Sequence, residues 1–82
     1  MARIRYMGKL LAITKKDTED VALSTVSQAL RYVEKSYGKQ ALHEAKVSLI
    51  VVNGVSINLQ KGMRTPVSDC DEIGFLPLCG GG

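Results

Sequence analysis

Little in this chain is built for stacking. Its aromatic residues are Tyr6, Tyr32, Tyr37 and Phe75, and it has no tryptophan. Proteins that hold single-stranded nucleic acid lay bases on rows of aromatic side chains, and these scattered rings supply no such platform. The net charge of +3 does not compensate. Its cations, from Arg3 and Arg5 through Lys15, Lys16, Arg31 and Lys46 to Arg64, are dispersed and interleaved with acids. No like-charge block of about five or six residues occurs, so nucleic acid is not an expected partner.

Histidine and cysteine are equally sparse. His43 is the only histidine, so no Ser-His-Asp arrangement can be assigned. The spacing of His43, Cys70 and Cys79 matches no zinc pattern, and no metal is expected. Both cysteines are read as free thiols in a reducing compartment rather than as a disulfide. Long apolar runs are missing too. Val47 to Gln60 is the longest uncharged stretch of mid-chain, and its Ser, Asn and Gly make it too polar to cross a bilayer. Lys9, Lys15 and Lys16 interrupt any apolar region behind the basic N-terminus, which excludes a signal peptide. The expectation is a cytoplasmic protein with no membrane contact.

What is present is an ordinary globular balance, with 45% hydrophobic and 23% charged residues. At 82 residues the chain makes one domain near the lower size limit for a self-sufficient core. Arg3-Ile4-Arg5-Tyr6 alternates as a half-buried strand over Ala2 to Met7. Leu10, Leu11 and Ile13 read as a loop segment or an irregular strand extension, and Glu19 to Leu23 as a second strand. Thr25-Val26-Ser27-Gln28 fits a capping box. Behind it Val26, Ala29, Leu30, Val33 and Tyr37 share one helical face, and Gly38 marks the stop. Lys39 to Lys46 reads as a loop with one helical turn. Val47 to Val52 is rich in β-branched residues and ends at Asn53-Gly54, a strong hairpin signal that returns through a short strand, Val55 to Leu59. Lys61-Gly62 and Thr65-Pro66 mark turns, and Ser68 to Asp71 leads into a last strand, Glu72 to Pro77, with Ile73 and Phe75 on one face. Strand, strand, helix, strands is an α+β order in which one main helix buries its stripe against the sheet.

The chain then runs Leu78-Cys79-Gly80-Gly81-Gly82. Residues 1–78 are expected to form the domain and 79–82 a flexible glycine tail. Without Cβ atoms, Gly80 and Gly81 can thread a narrow channel. Fully extended, the residues after Leu78 reach on the order of 14 Å at about 3.3–3.6 Å per residue. That suits a domain whose working group is the Gly82 carboxylate, offered to another enzyme's active site.

Val52-Asn53-Gly54, Thr65-Pro66, Asp69-Cys70-Asp71-Glu72-Ile73, Phe75-Leu76-Pro77 and the terminal glycines together resemble the ThiS/MoaD sulfur carriers. The order of elements matches over essentially the whole chain, and the length is closest to the molybdopterin synthase small subunit. The resemblance implies a ubiquitin-like β-grasp fold, a mixed sheet of four to five strands with the first and last strands parallel in its middle. Two positions depart from the family pattern. Cys70 stands where the family has a glycine, a substitution that a positive φ would strain. The Leu-Cys-Gly-Gly-Gly ending also differs from the usual residues before Gly-Gly.

The resemblance further implies a chemistry. A ubiquitin-activating-type adenylyltransferase, using ATP and magnesium, would convert the Gly82 carboxylate to an acyl-adenylate. A persulfide or sulfide donor would then give a C-terminal thiocarboxylate for a sulfur-accepting synthase or sulfhydrylase. Molybdopterin, tungstopterin, thiamine and sulfur-containing metabolites are all served by such carriers. On this reading no residue of the chain is catalytic and no cofactor is bound. Leu76 and Leu78 are candidates for partner docking, and Cys79 for an accessory thiol that exchanges with a persulfide. The rival reading is a protein modifier, in which activated Gly82 forms an isopeptide with lysines.

Overall fold

Ala2, Ile4 and Tyr6 alternate onto one face and are buried, while Arg3 stays exposed, so Ala2–Tyr6 forms strand β1. The computed structural model describes residues 1–78. The chain continues through helix α1 (Gly8–Thr14), strand β2 (Thr18–Val21), helices α2 (Val26–Tyr37) and α3 (Lys39–Val47), strands β3 (Leu49–Val52) and β4 (Val55–Ser56), and strand β5 (Glu72–Leu76). Two 3-10 turns, Ile57–Leu59 and Gly62–Arg64, connect β4 to the last strand.

The five strands lie in the order β2-β1-β5-β3-β4. β1 and β5 are parallel, with Ile4 opposite Ile73 and Tyr6 opposite Phe75. The other pairings are antiparallel. The expected sheet, with first and last strands parallel in its middle, is therefore present. Helices cover one face. Ile4, Tyr6, Ile50, Val52, Ile73 and Phe75 from the sheet meet Val26, Ala29, Leu30 and Val33 of α2, with Leu10, Ala41 and Ala45 completing the core.

The helical layer is larger than the sequence reading gave. Leu10, Leu11 and Ile13 lie on α1 rather than in a loop or strand. Leu10 and Thr14, one helical turn apart, are both buried. Lys39 to Lys46 is a full helix, where one turn was expected. Its buried residues are only Ala41 and Ala45, at i and i+4, and such small side chains let α3 lie close beside α2. Val47 accordingly ends a helix instead of opening a strand, and β4 gives way to a 3-10 turn after Ser56.

The predicted cap forms, with one shift. Thr25 Oγ1 accepts from the Gln28 N–H at 3.3 Å, while Gln28 Oε1 accepts from the Ser24 N–H at 2.7 Å rather than from Thr25 itself. Two orphan donors are satisfied either way. α2 ends at Gly38, whose N–H reaches the Glu34 carbonyl. The Asn53-Gly54 hairpin turns with φ of 52° and 82°, the two positive values that a type I′ turn requires.

One carboxylate ties three elements together. Glu19 of β2 accepts from the Tyr6 hydroxyl at 2.9 Å, the Tyr37 hydroxyl at 3.0 Å and Lys16 Nζ at 3.1 Å. Burial opposes its ionisation, but hydrogen bonds from Tyr6, Tyr32, Lys16 and Tyr37 outweigh that and hold its carboxyl below the usual range. Burial, then the bond to Glu19, pushes the Tyr6 hydroxyl far above its ordinary value.

Candidate functional site

The site is the end of the sheet where β5 runs out. β5 has hydrogen-bonded neighbours on both sides, β1 and β3, so the strand that carries the tail is interior. Phe75 points into the core and is 1% exposed, as expected from its face. Leu76 points the other way and is half-buried. Pro77 and Leu78 follow as non-regular chain, and Leu78 is 62% exposed. The expectations for Cys79, Gly80, Gly81 and Gly82 lie outside the described residues.

Register explains what surrounds Leu76. Leu49 stands opposite Leu76, and Val51 opposite Gly74. Their neighbours Ile50, Val52, Ile73 and Phe75 face the helices, so Leu49, Val51, Gly74 and Leu76 share the open face. The side chain of Val51 folds over Gly74, its Cγ2 lying 3.0 Å from where a Cβ would stand. The open face is thus apolar toward β3. Toward β1 it is charged: Arg5 makes a forked pair with Glu72, with Nε at 3.2 Å and a second nitrogen at 3.4 Å, and Arg3 pairs across strands with Asp20 at 3.2 Å. Arg3 and Arg5 are thus paired with acids within the sheet.

On the helical side of the same end lies a groove of about 340 Å³, lined among others by Met7, Leu10, Glu44, Val47, Pro77 and Leu78. Val47 is 48% exposed there. Leu78 therefore borders a groove while Leu76 belongs to the open face. Leu49 and Val47 were missed from the sequence, where both sat inside a run read as one strand. The signal that could have found Leu49 is the pairing that sets it opposite Leu76, which is a matter of register and not of local pattern.

The acidic segment before β5 is a locked turn. Asp71 accepts from the Ser68 N–H at 2.8 Å and from Asn53 Nδ2 at 2.8 Å, and these bonds hold its carboxyl below the ordinary value. Asn53 Oδ1 accepts from the Glu72 N–H at 2.9 Å, and the Asn53 N–H donates to the Glu72 carbonyl at 2.8 Å. The hairpin asparagine and the acidic turn, distant in sequence, thus clamp each other at the start of β5. Cys70 is exposed in this turn and is not among the residues with positive φ, so replacing glycine there brings no strain. His43 is exposed on α3, and no metal-holding cluster of His, Cys, Asp or Glu exists among the described residues. No helix is long and apolar enough to cross a membrane among those residues.

A five-stranded mixed sheet with its first and last strands parallel at the centre and helices on one face defines a ubiquitin-like β-grasp protein. The model of the ThiS family matches residues 4–82, and the chain belongs to that family of ubiquitin-like sulfur carriers and modifiers. No curated protein matches its sequence. Solved structures do. The small archaeal modifier protein SAMP1 from Methanosarcina acetivorans is 23% identical, with TM-score 0.80 over 99% of this chain and 95% of its own. The Amycolatopsis orientalis BexX/CysO complex contains a chain 18% identical, with TM-score 0.82 over 100% of both chains. A Pyrococcus furiosus protein assigned as molybdopterin converting factor subunit 1 is 18% identical, with TM-score 0.66 over 93% of this chain and 94% of its own. At these identities the likeness is one of fold.

Proposed function

We propose that this chain is a sulfur carrier whose Gly82 carboxylate is activated by a ubiquitin-activating-type adenylyltransferase and converted to a thiocarboxylate. The observation that carries the reading is the position of β5. An interior strand, held on both sides, leads out past an exposed apolar patch into Gly80-Gly81-Gly82. The family match runs through residue 82, which supports the same assignment.

A carboxylate resists attack because its charge is delocalised and oxide is a poor leaving group. In the first step a Gly82 oxygen attacks the α-phosphorus of ATP, held with magnesium by the partner, and pyrophosphate leaves. Hydrosulfide, or a persulfide whose acyl product a thiol then reduces, displaces AMP from the resulting anhydride and leaves sulfur on the Gly82 carbonyl carbon. The chain supplies the reacting carboxylate and the address. Leu76 with Leu49 on the open face, and Leu78 on the groove at the same end, are the docking surface for the adenylyltransferase and for the synthase or sulfhydrylase that takes the sulfur. Molybdopterin- or tungstopterin-type cofactors, or a sulfur-containing metabolite, are the destinations. Cys79, in the tail, is the candidate accessory thiol, and unchanged sulfur loading of Cys79→Ser would eliminate that role.

Similarity to a protein named as a modifier favours one second reading, conjugation of activated Gly82 to lysines. The test is the intact mass after incubation with the cognate adenylyltransferase, ATP, magnesium and a sulfur donor. A shift of one oxygen replaced by sulfur, lost on deleting Gly82, is expected. No shift with an active enzyme, together with high-mass conjugates that need Gly82, would establish the modifier instead.

A further inference from the structure

We propose that Gly8 and Pro77 form a positioning pair that fixes the direction in which the chain leaves β5, and so aims the tail at the adenylating site. The inference rests on the reading above only as far as activation of Gly82, which carrier and modifier share.

The parallel register places Tyr6 beside Phe75, so the two central strands leave the sheet side by side. Two residues on, Gly8 meets Pro77. At Gly8 the chain turns into α1 with φ of +60°, and a Cβ there would lie 3.2 Å from Pro77 Cβ and 3.4 Å from Pro77 Cγ. The proline ring therefore rests against the bare backbone of Gly8. Pro77 has no N–H with which to extend the ladder, its own φ is locked, and it drives Leu76 toward extended backbone. Strand pairing must stop there, and with φ fixed the seat of the ring on Gly8 sets the remaining direction. Leu78 is thereby placed along the groove beside Leu10 and Val47. The first strand's exit thus governs the last strand's exit, some seventy positions further along the chain.

A positive φ at Gly8 would by itself favour glycine for the turn, so the test separates that role from the contact. Asparagine tolerates positive φ but carries a Cβ. Pro77→Gly removes both ring atoms that the Cβ would meet. ATP–pyrophosphate exchange is measured with the cognate adenylyltransferase as the carrier concentration is varied, together with the melting temperature of each variant. Gly8→Asn is expected to lower kcat by about tenfold to a hundredfold, the scale of a small misplacement of reacting groups, with a smaller change in the half-saturating carrier concentration through Leu78. In the Pro77→Gly background, itself slower than wild type, Gly8→Asn should cost nothing further in kcat. Wild-type kcat in Gly8→Asn, losses that multiply in the double variant, or a loss confined to half-saturation would each overturn the proposal. Absence of exchange with the wild-type chain and an active enzyme would instead remove the activation reading itself, and the positioning role with it.

Discussion

Replacing Glu19 with alanine should cost this protein a large share of its stability, although Glu19 lies far along the chain from the tail. The loss can be worked from its partners. The Tyr6 hydroxyl, on a side chain 1% exposed, would be left without an acceptor, and stranding a buried donor costs about 1–3 kcal/mol. Tyr37 is half-buried, and losing its bond adds about 0.5–1.5 kcal/mol. Lys16 is exposed and adds little. A total of about 2–4 kcal/mol compares with a whole stability of roughly 4–12 kcal/mol at about 0.05–0.15 kcal/mol per residue. Urea unfolding at neutral pH should show it. With a slope near 1 kcal/mol per molar, the midpoint falls by about 2 M or more. Glu19→Gln, which keeps one acceptor and the shape, should lose about half as much. Acidity supplies a second check. The folded carboxyl titrates below its ordinary 4.5, so its stabilisation is complete above that pH and fades as pH falls through the lower, folded value. The gap between wild type and Glu19→Ala should therefore be constant near neutrality and shrink in acid. A gap below about 0.5 kcal/mol at neutral pH, the range of ordinary surface changes, refutes the reasoning.

Leu49→Asp tests the open face. Leu49 is exposed, so stability should move by less than about 0.5 kcal/mol, while half-saturation of the adenylyltransferase rises about tenfold or more if the residue anchors the contact. An unchanged half-saturation places docking elsewhere. Gly74→Ala inserts a Cβ 3.0 Å from Val51 Cγ2 and should destabilise by about 1–3 kcal/mol in urea unfolding. Val51→Ala in the same chain should relieve most of the insertion cost, and failure to do so would mean that the strand, not Val51, resists the methyl group.

Elements whose signals are local were legible. The cap at Thr25, the stripe of α2 and the Asn53-Gly54 turn each depend on residues within a few positions of one another, and each stands where it was read. α1 and α3 were not legible because their buried faces are minimal. α1 buries Leu10 and Thr14, one of them polar, and α3 buries two alanines, so neither displays the broad apolar stripe that identifies a helix. The site divides the same way. Leu76 and Leu78 could be chosen because they precede the glycines in the chain. Leu49, Val47 and Gly8 could not, because what brings them to the same end of the molecule is the pairing of β5 with β3 and β1 and, for Val47, the packing of α3. The clamp between Asn53 and Asp71 is instructive here: both of its motifs were read, but only the fold shows that they bond to each other.

Placing the last strand in the middle of the sheet has a mechanical consequence. A terminal strand at an edge is held on one side only and frays readily, so a tail attached to it would drag its root along. β5 is held by β1 and by β3, its start is locked by Asn53 and Asp71, and Ile73 and Phe75 are sunk in the core. Its end is thus a fixed origin for Pro77 and Leu78. Recognition and reaction can then be served by different residues. On the two proposals, the apolar face around Leu49 and Leu76 selects the enzyme that holds the domain, and the contact of Pro77 with Gly8 sets where the chain points once held. Changes to the first should alter affinity, and changes to the second should alter turnover. On the proposed function, sulfur destination is then set by surface residues of the open face rather than by the glycines, which any partner of this kind must accept alike.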